Sequence, residues 1–232
     1  MKYIYSHLGL GDQIVCNGLI RHFSNLFGDV TIFVKNHNYE TLKNMYRDNL
    51  NICMMKIGTH QDADSNVQKF IREKNLDLEV IRIGFLDILS NYGELGFDSK
   101  FYIQHGLNSS AKWDMFKYER NLEEEKKIFN RYEVKEGEYI FIHDDERYRI
   151  DLNRISNPRN LKIVKPIDGL TNNLFNYSLL IEKADSVHTI ESSFQFMIDC
   201  MCLNLENYVH RYLRPLSNIE IPTYRSVKQI YQ

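Results

Sequence analysis

Tyr3-Ile4-Tyr5-Ser6-His7-Leu8-Gly9-Leu10-Gly11-Asp12 is the stretch whose reading decides the fold. An aromatic and β-branched run gives way to two glycines. From Gln13 onward Val15, Leu19, Phe23 and Phe27 recur at helical spacing, so residues 2–6 read as a strand and a helix follows the turn. Glycines directly after a strand let backbone amides approach a ligand closely, and a helix start adds partial positive charge. Gly9 and Gly11 are therefore candidate ligand contacts at the mouth of a cleft. The spacing is not G-x-G-x-x-G, because the third position is Val15 or Cys16, so a dinucleotide fingerprint is poorly supported. Asp12 would repel a phosphate. It reads either as a helix N-cap, which Asp does well, or as a general base at the carboxyl end of a strand; the two roles are compatible.

Outward from this start the same alternation continues, which is the α/β signature. Strands are expected at 30–34, 52–57 and 78–83, with helices at 39–46 and 62–74. Residues 85–107 are irregular, contain Gly93, Gly96 and Gly106, and are expected to form a loop of the kind that lines binding sites. Residues 112–132 read as one long helix, with Glu123-Glu124-Glu125-Lys126-Lys127 as a solvated face. The second half starts afresh, with strands at 138–143, 161–164, 187–190 and 205–209 and helices at 174–184 and 192–202. The last of these is apolar nearly all round and hence buried. Residues 226–231 read as a terminal helix. A charged helix ending in Gly places the boundary near Glu136-Gly137, giving two Rossmann-like halves, 1–136 and 137–232.

Composition narrows the partners. The chain has 232 residues, is 43% hydrophobic, and balances 29 basic against 31 acidic side chains. No whole-protein field points to nucleic acid or an anionic membrane. No apolar run approaches the ~20 residues of a membrane helix, and the first residues do not read as a signal peptide. Cys16, Cys53, Cys200 and Cys202 form no C-x-x-C pair, so buried free thiols in a reducing, cytoplasmic setting are expected.

Two further constellations follow strand ends. Val187-His188-Thr189-Ile190-Glu191-Ser192-Ser193-Phe194 runs from a strand into an acid and two serines that open a buried helix. Such a start offers amides and hydroxyls to a diphosphate, with Glu191 placed to accept from ribose hydroxyls; a Ser-capped core helix is the plainer reading. His143-Asp144-Asp145-Glu146-Arg147-Tyr148-Arg149 could neutralise a diphosphate through Arg147 and Arg149, aided by Lys162 and Lys165 a strand away. Its acids could alternatively hold a metal, or the run could simply be solvated. Asp62-Ala63-Asp64 matches the D-x-D of metal-dependent sugar transferases, but so short a pattern at a helix start is a common coincidence.

Together these features resemble glycosyltransferases of the GT-B architecture, most closely the heptosyltransferase-like group (ADP-heptose:LPS heptosyltransferases). Gly11-Asp12 matches the Gly-Asp turn after their first strand. The helix at 174–184, the strand through Ile190 and the turn Glu191-Ser192-Ser193 match their second domain. Where that family usually has Asp-Thr/Ser-Gly followed by His, this chain has Glu191-Ser192-Ser193-Phe194-Gln195. The resemblance implies two domains with an active-site cleft between them, the acceptor on the first and a nucleotide-diphosphate sugar on the second. It implies an inverting, metal-independent transfer with no cofactor, to a glycan, lipid-linked or small-molecule hydroxyl in glycan biosynthesis. Asp12 would be the general base, and His7 would orient the acceptor or share the proton. His143, Arg147, Arg149, Lys165, Glu191, Ser192 and Ser193 would hold the donor. A nucleotide-sugar epimerase or hydrolase, a non-catalytic nucleotide- or glycan-binding module, and a methyltransferase-like first half are the competing readings.

Overall fold

Val30–Val34 (β2) is buried at all five positions, the mark of a strand covered on both faces. It lies inside a parallel four-stranded sheet of order β3-β2-β1-β4, with β1 at Lys2–Ser6, β3 at Ile52–Lys56 and β4 at Val80–Ile83. The computed structural model describes residues 1–59, 61–85, 96–213, 223 and 228–230. A second parallel sheet has five strands in the order β6-β5-β7-β8-β9. These are β5 (Tyr139–His143), β6 (Lys162–Val164), β7 (Ser186–Thr189), β8 (Asn207–His210) and β9 (Lys228–Ile230). The architecture is the expected one, α/β with two Rossmann-like halves.

In the first unit α1 (Leu10–Val15) follows the glycine turn and breaks at Cys16 before α2 (Asn17–Phe27). Leu19, Ile20 and Phe23 are buried on α2, and Arg21 is buried with them. Arg21 forks onto Asp48 at 2.8 and 3.1 Å and donates to the Met45 carbonyl. Burial would raise the Asp48 carboxyl, but hydrogen bonds and charge from Arg21 and Lys117 outweigh it and hold it at about 2. On the sheet's other side α4 (Ala63–Lys74) sets Ala63, Val67 and Ile71 against Tyr5, Leu8 and Phe33; α3 (Tyr39–Met45) connects β2 to β3.

Several elements differ from expectation for identifiable reasons. The irregular stretch contains a helix, α5 (Phe97–Ile103), with Phe101 and Tyr102 fully buried; residues 86–95, Gly93 among them, lie outside the described residues. The long helix is two, α6 (Ala111–Asp114) and α7 (Leu122–Arg131). Between them the Lys117 backbone is captured by Asn17, whose amide donates to its carbonyl and accepts from its N–H, while Arg21 donates to the same carbonyl. Asn121 then caps the restart by accepting from the Glu124 N–H. Nor is the acidic run all solvated: Glu125 is fully buried against Arg120. Residues 228–230 form a strand beside β8, not a helix; residues 226, 227 and 231 lie outside the described residues. The four cysteines are free, but Cys53 on the edge strand β3 is exposed, not buried.

The compact units divide between Glu119 and Arg120, ahead of the expected 136/137 boundary. Arg120 bonds both Glu125 and Glu182, and α7 packs on the turn Leu174–Tyr177 and on α8 (Ser178–Glu182) of the second unit. On the other face of that sheet, Ile140, Ile142 and Ile190 pack with Ile150 and Ile155 from the segment after β5.

Candidate functional site

Strand order reverses between β1 and β4 in the first sheet and between β5 and β7 in the second. In open parallel sheets ligands bind beyond the carboxyl ends of the strands at such a reversal. The sequence candidates fall at both places.

In the first unit Gly9, not Asp12, is the N-cap of α1. Asp12 occupies the third helical position, and Gly11 the second. A Cβ on Gly9 would come within 2.5 Å of Asp12 Oδ2. The room that glycine leaves is therefore filled by the aspartate's own carboxylate, folded back over the turn. Among the described residues Asp12 makes no side-chain hydrogen bond or salt bridge. Burial pushes its carboxyl above the ordinary range, while His7, just past β1, and Lys35, just past β2, pull it back. The His7 ring meets Phe85 and Phe101 edge-on or tilted, with centroids 5.6 and 5.8 Å away. Asn38 donates to the Leu8 carbonyl and fixes the turn from the next loop. Gly84, at the end of β4, has φ +84°, and a Cβ there would overlap the Phe101 ring. Lys35 is a further candidate, and its sequence signal is a cation placed directly after a largely apolar strand.

In the second unit His143 ends β5 and its carbonyl accepts from the Ile190 N–H at 3.2 Å, joining the two strand ends. Ser192 Oγ lies 3.0 Å from His143 Nδ1, and the His143 ring packs on the Phe194 ring in a tilted arrangement, centroids 4.2 Å apart. Ser192 is the N-cap of α9 (Ser193–Cys200), its side chain turned to His143 instead of the helix amides, and Ser193 is the first helical residue. Lys165, past the end of β6, donates to the buried Asp144 carboxylate at 2.6 Å, which also accepts from the Ile150 N–H. Glu191 pairs with Arg211 at 3.0 Å, a partner absent from the sequence expectations. Arg147 and Arg149 stand exposed on the loop after β5, and among the described residues neither guanidinium makes a hydrogen bond or ion pair. That loop turns on Asp145, whose carboxylate accepts from the Arg147 and Tyr148 N–H groups.

Asp64 of the D-x-D pattern accepts from the Tyr5 hydroxyl at 2.7 Å, and burial together with Asp64 pushes that phenol up to about 12. Among the described residues no three His, Cys, Asp or Glu side chains converge as a metal site, and no helix is long and apolar enough to cross a membrane.

Two parallel α/β units in one chain, each with polar groups gathered where its strand order reverses, define the GT-B fold class. The chain is similar in structure to the glycosyl transferase family 9 protein from Veillonella parvula DSM 2008 (TM-score 0.59, 10% identity, 99% of this chain and 84% of that one). It is likewise similar to the ADP-heptose LPS heptosyltransferase II of E. coli (TM-score 0.55, 10% identity, 99% of this chain and 90% of that one). No family model matches the sequence, and no curated protein matches it significantly.

Proposed function

We propose that this protein is a glycosyltransferase moving a sugar from a nucleotide-diphosphate donor to a hydroxyl acceptor, with inversion and without a required metal. The observation that carries the reading is the Asp12 carboxylate, held at a strand-order reversal with no hydrogen-bond partner among the described residues and with its proton affinity raised by burial. A carboxylate so placed is suited to take the proton of an incoming hydroxyl as it attacks the anomeric carbon. His7 orients the acceptor. On the second unit the leaving diphosphate is met by Arg147, Arg149 and Lys165, by the Ser192 hydroxyl and by the amides that open α9, which is electrostatic stabilisation of developing charge. Glu191 accepts from the ribose. The fold shared with glycosyltransferases supports this division, and a cytoplasmic enzyme of glycan synthesis is the setting it fits.

A thermal-shift panel of UDP-, GDP-, ADP- and dTDP-sugars tests the donor side. The expected result is a raised melting temperature with one base, and no shift with any of them at millimolar concentration overturns the reading. The Ser192–His143 hydrogen bond also fits an enzyme that hydrolyses the donor, with the serine hydroxyl or a water activated by the imidazole. Product analysis without acceptor separates the two, since a hydrolase releases sugar from the donor alone.

A further inference from the structure

Arg211 immediately follows β8 and is 7% exposed, with Nη1 3.0 Å from Glu191 Oε1. Among the described residues its buried Nε has no hydrogen-bond partner, an arrangement that costs stability. The turn that carries it is nevertheless held firmly. Tyr212 Oη accepts from the Asp151 N–H at 3.4 Å, lies 3.3 Å from His210 Nδ1, and has the Arg154 guanidinium over its ring at 4.3 Å. His210 in turn lies 3.0 Å from the His188 ring on β7. The guanidinium is thus fixed on a braced turn and too buried to touch a ligand. Glu191, more open with 15% of its side chain exposed, stands at the carboxyl end of β7, beside the reversal.

We propose that Arg211 is a positioning residue that holds the Glu191 carboxylate in one orientation, so that it accepts hydrogen bonds from the vicinal hydroxyls of a ribose. The donor is accordingly a ribonucleoside diphosphate sugar and not a deoxyribonucleoside one. This inference rests on the reading of the second unit as the donor side. A carboxylate with a fixed rotamer loses little freedom when it binds a diol, whereas a loose one gives back part of the gain as entropy.

The experiment is calorimetric binding of ADP, GDP, UDP and CDP, and of their 2′-deoxy and 3′-deoxy counterparts, to the wild type, Arg211→Met, Glu191→Gln and the double variant. For the base that binds, the wild type should favour the ribonucleotide by about ten- to a hundredfold, the worth of a charge-assisted hydrogen bond. Arg211→Met should lose most of that preference while holding the deoxynucleotides as the wild type does. In the Glu191→Gln background, adding Arg211→Met should change the preference no further. Arg211→Lys keeps the charge without the planar fork and should restore the preference only in part. Equal wild-type affinity for ribo- and deoxynucleotides overturns the proposal and leaves the donor reading standing, as does an Arg211→Met that weakens both alike. If Arg211→Met does not fold, full preference in Arg211→Lys overturns it. Failure of every nucleotide to bind the wild type overturns the donor reading itself.

Discussion

At the carboxyl end of β1 the first unit presents one partly buried acid, Asp12, with His7 and Lys35 near enough to act on its charge. Along the same edge of its own sheet the second unit presents His143, Lys165 and Ser192, and there Asp144 and Glu191 are already paired, to Lys165 and Arg211. One layout recurs in both units: strand, short turn, polar residue, helix. What differs is which charges have been satisfied within the unit. An acid paired with a cation holds its position and is poor at accepting a proton, while an unpaired, desolvated acid is a better base. Under the proposed function, proton transfer falls to the first unit and anion binding to the second.

The sharpest way to break this assignment is Asp12→Asn. Turnover should fall about 10²- to 10⁴-fold, the usual worth of a general base, with nucleotide affinity unchanged in a direct binding measurement. Retained turnover removes Asp12 from the mechanism. Next in size is Gly84→Ala, which probes the scaffold behind His7. A positive φ and a methyl group driven into the Phe101 ring should together cost about 2 to 4 kcal/mol in urea unfolding; a midpoint equal to the wild type's would mean that Phe101 moves aside freely.

Acid should act on the second unit through its buried histidines. Burial, helped by the charge of His210 at His188 and of Arg154 at His210, lowers both histidines from 6.5 to about 4, so the unfolded chain binds more protons than the folded one between those values. Their contribution to stability is fully present above pH 6.5 and is lost as the pH falls toward 4. Melting temperature should therefore drop across that window, and His188→Gln should flatten the slope. The smallest effect expected is from Ser192→Ala, which removes one hydroxyl beside His143. Nucleotide diphosphate affinity should weaken roughly two- to tenfold with the kcat of bound donor preserved; an unchanged affinity would take Ser192 off the anion side.

Much of this layout was legible in the sequence because parallel strands advertise themselves as short apolar runs, and the polar residue that follows each run marks the carboxyl edge of the sheet. Asp12, His143 and Glu191 were found that way. The pairings were not, since they are set by neighbours distant in sequence. Nothing near Glu191 announces Arg211, and nothing in Glu123-Glu124-Glu125 tells which glutamate meets Arg120. The helix at Phe97–Ile103 was hidden by the glycines around it, although its Phe101 is what packs on His7 and requires a glycine at position 84. The break after Asp114 was equally invisible, because Asn17 and Arg21, roughly a hundred residues earlier, capture the Lys117 backbone.

Arg120 stands where the second unit begins. Its guanidinium clasps Glu125 on one side and Glu182 at the end of α8 on the other, and the helix it secures buries Ile128 and covers the turn at Leu174–Tyr177. A recombinant piece cut at Gly137, where the charge pattern invites the scissors, would leave that surface wet and Glu182 without its clasp. A piece that begins at Arg120 takes its own cover with it. The second unit therefore starts at an arginine between α6 and α7, where its own cover begins, and not at the glycine.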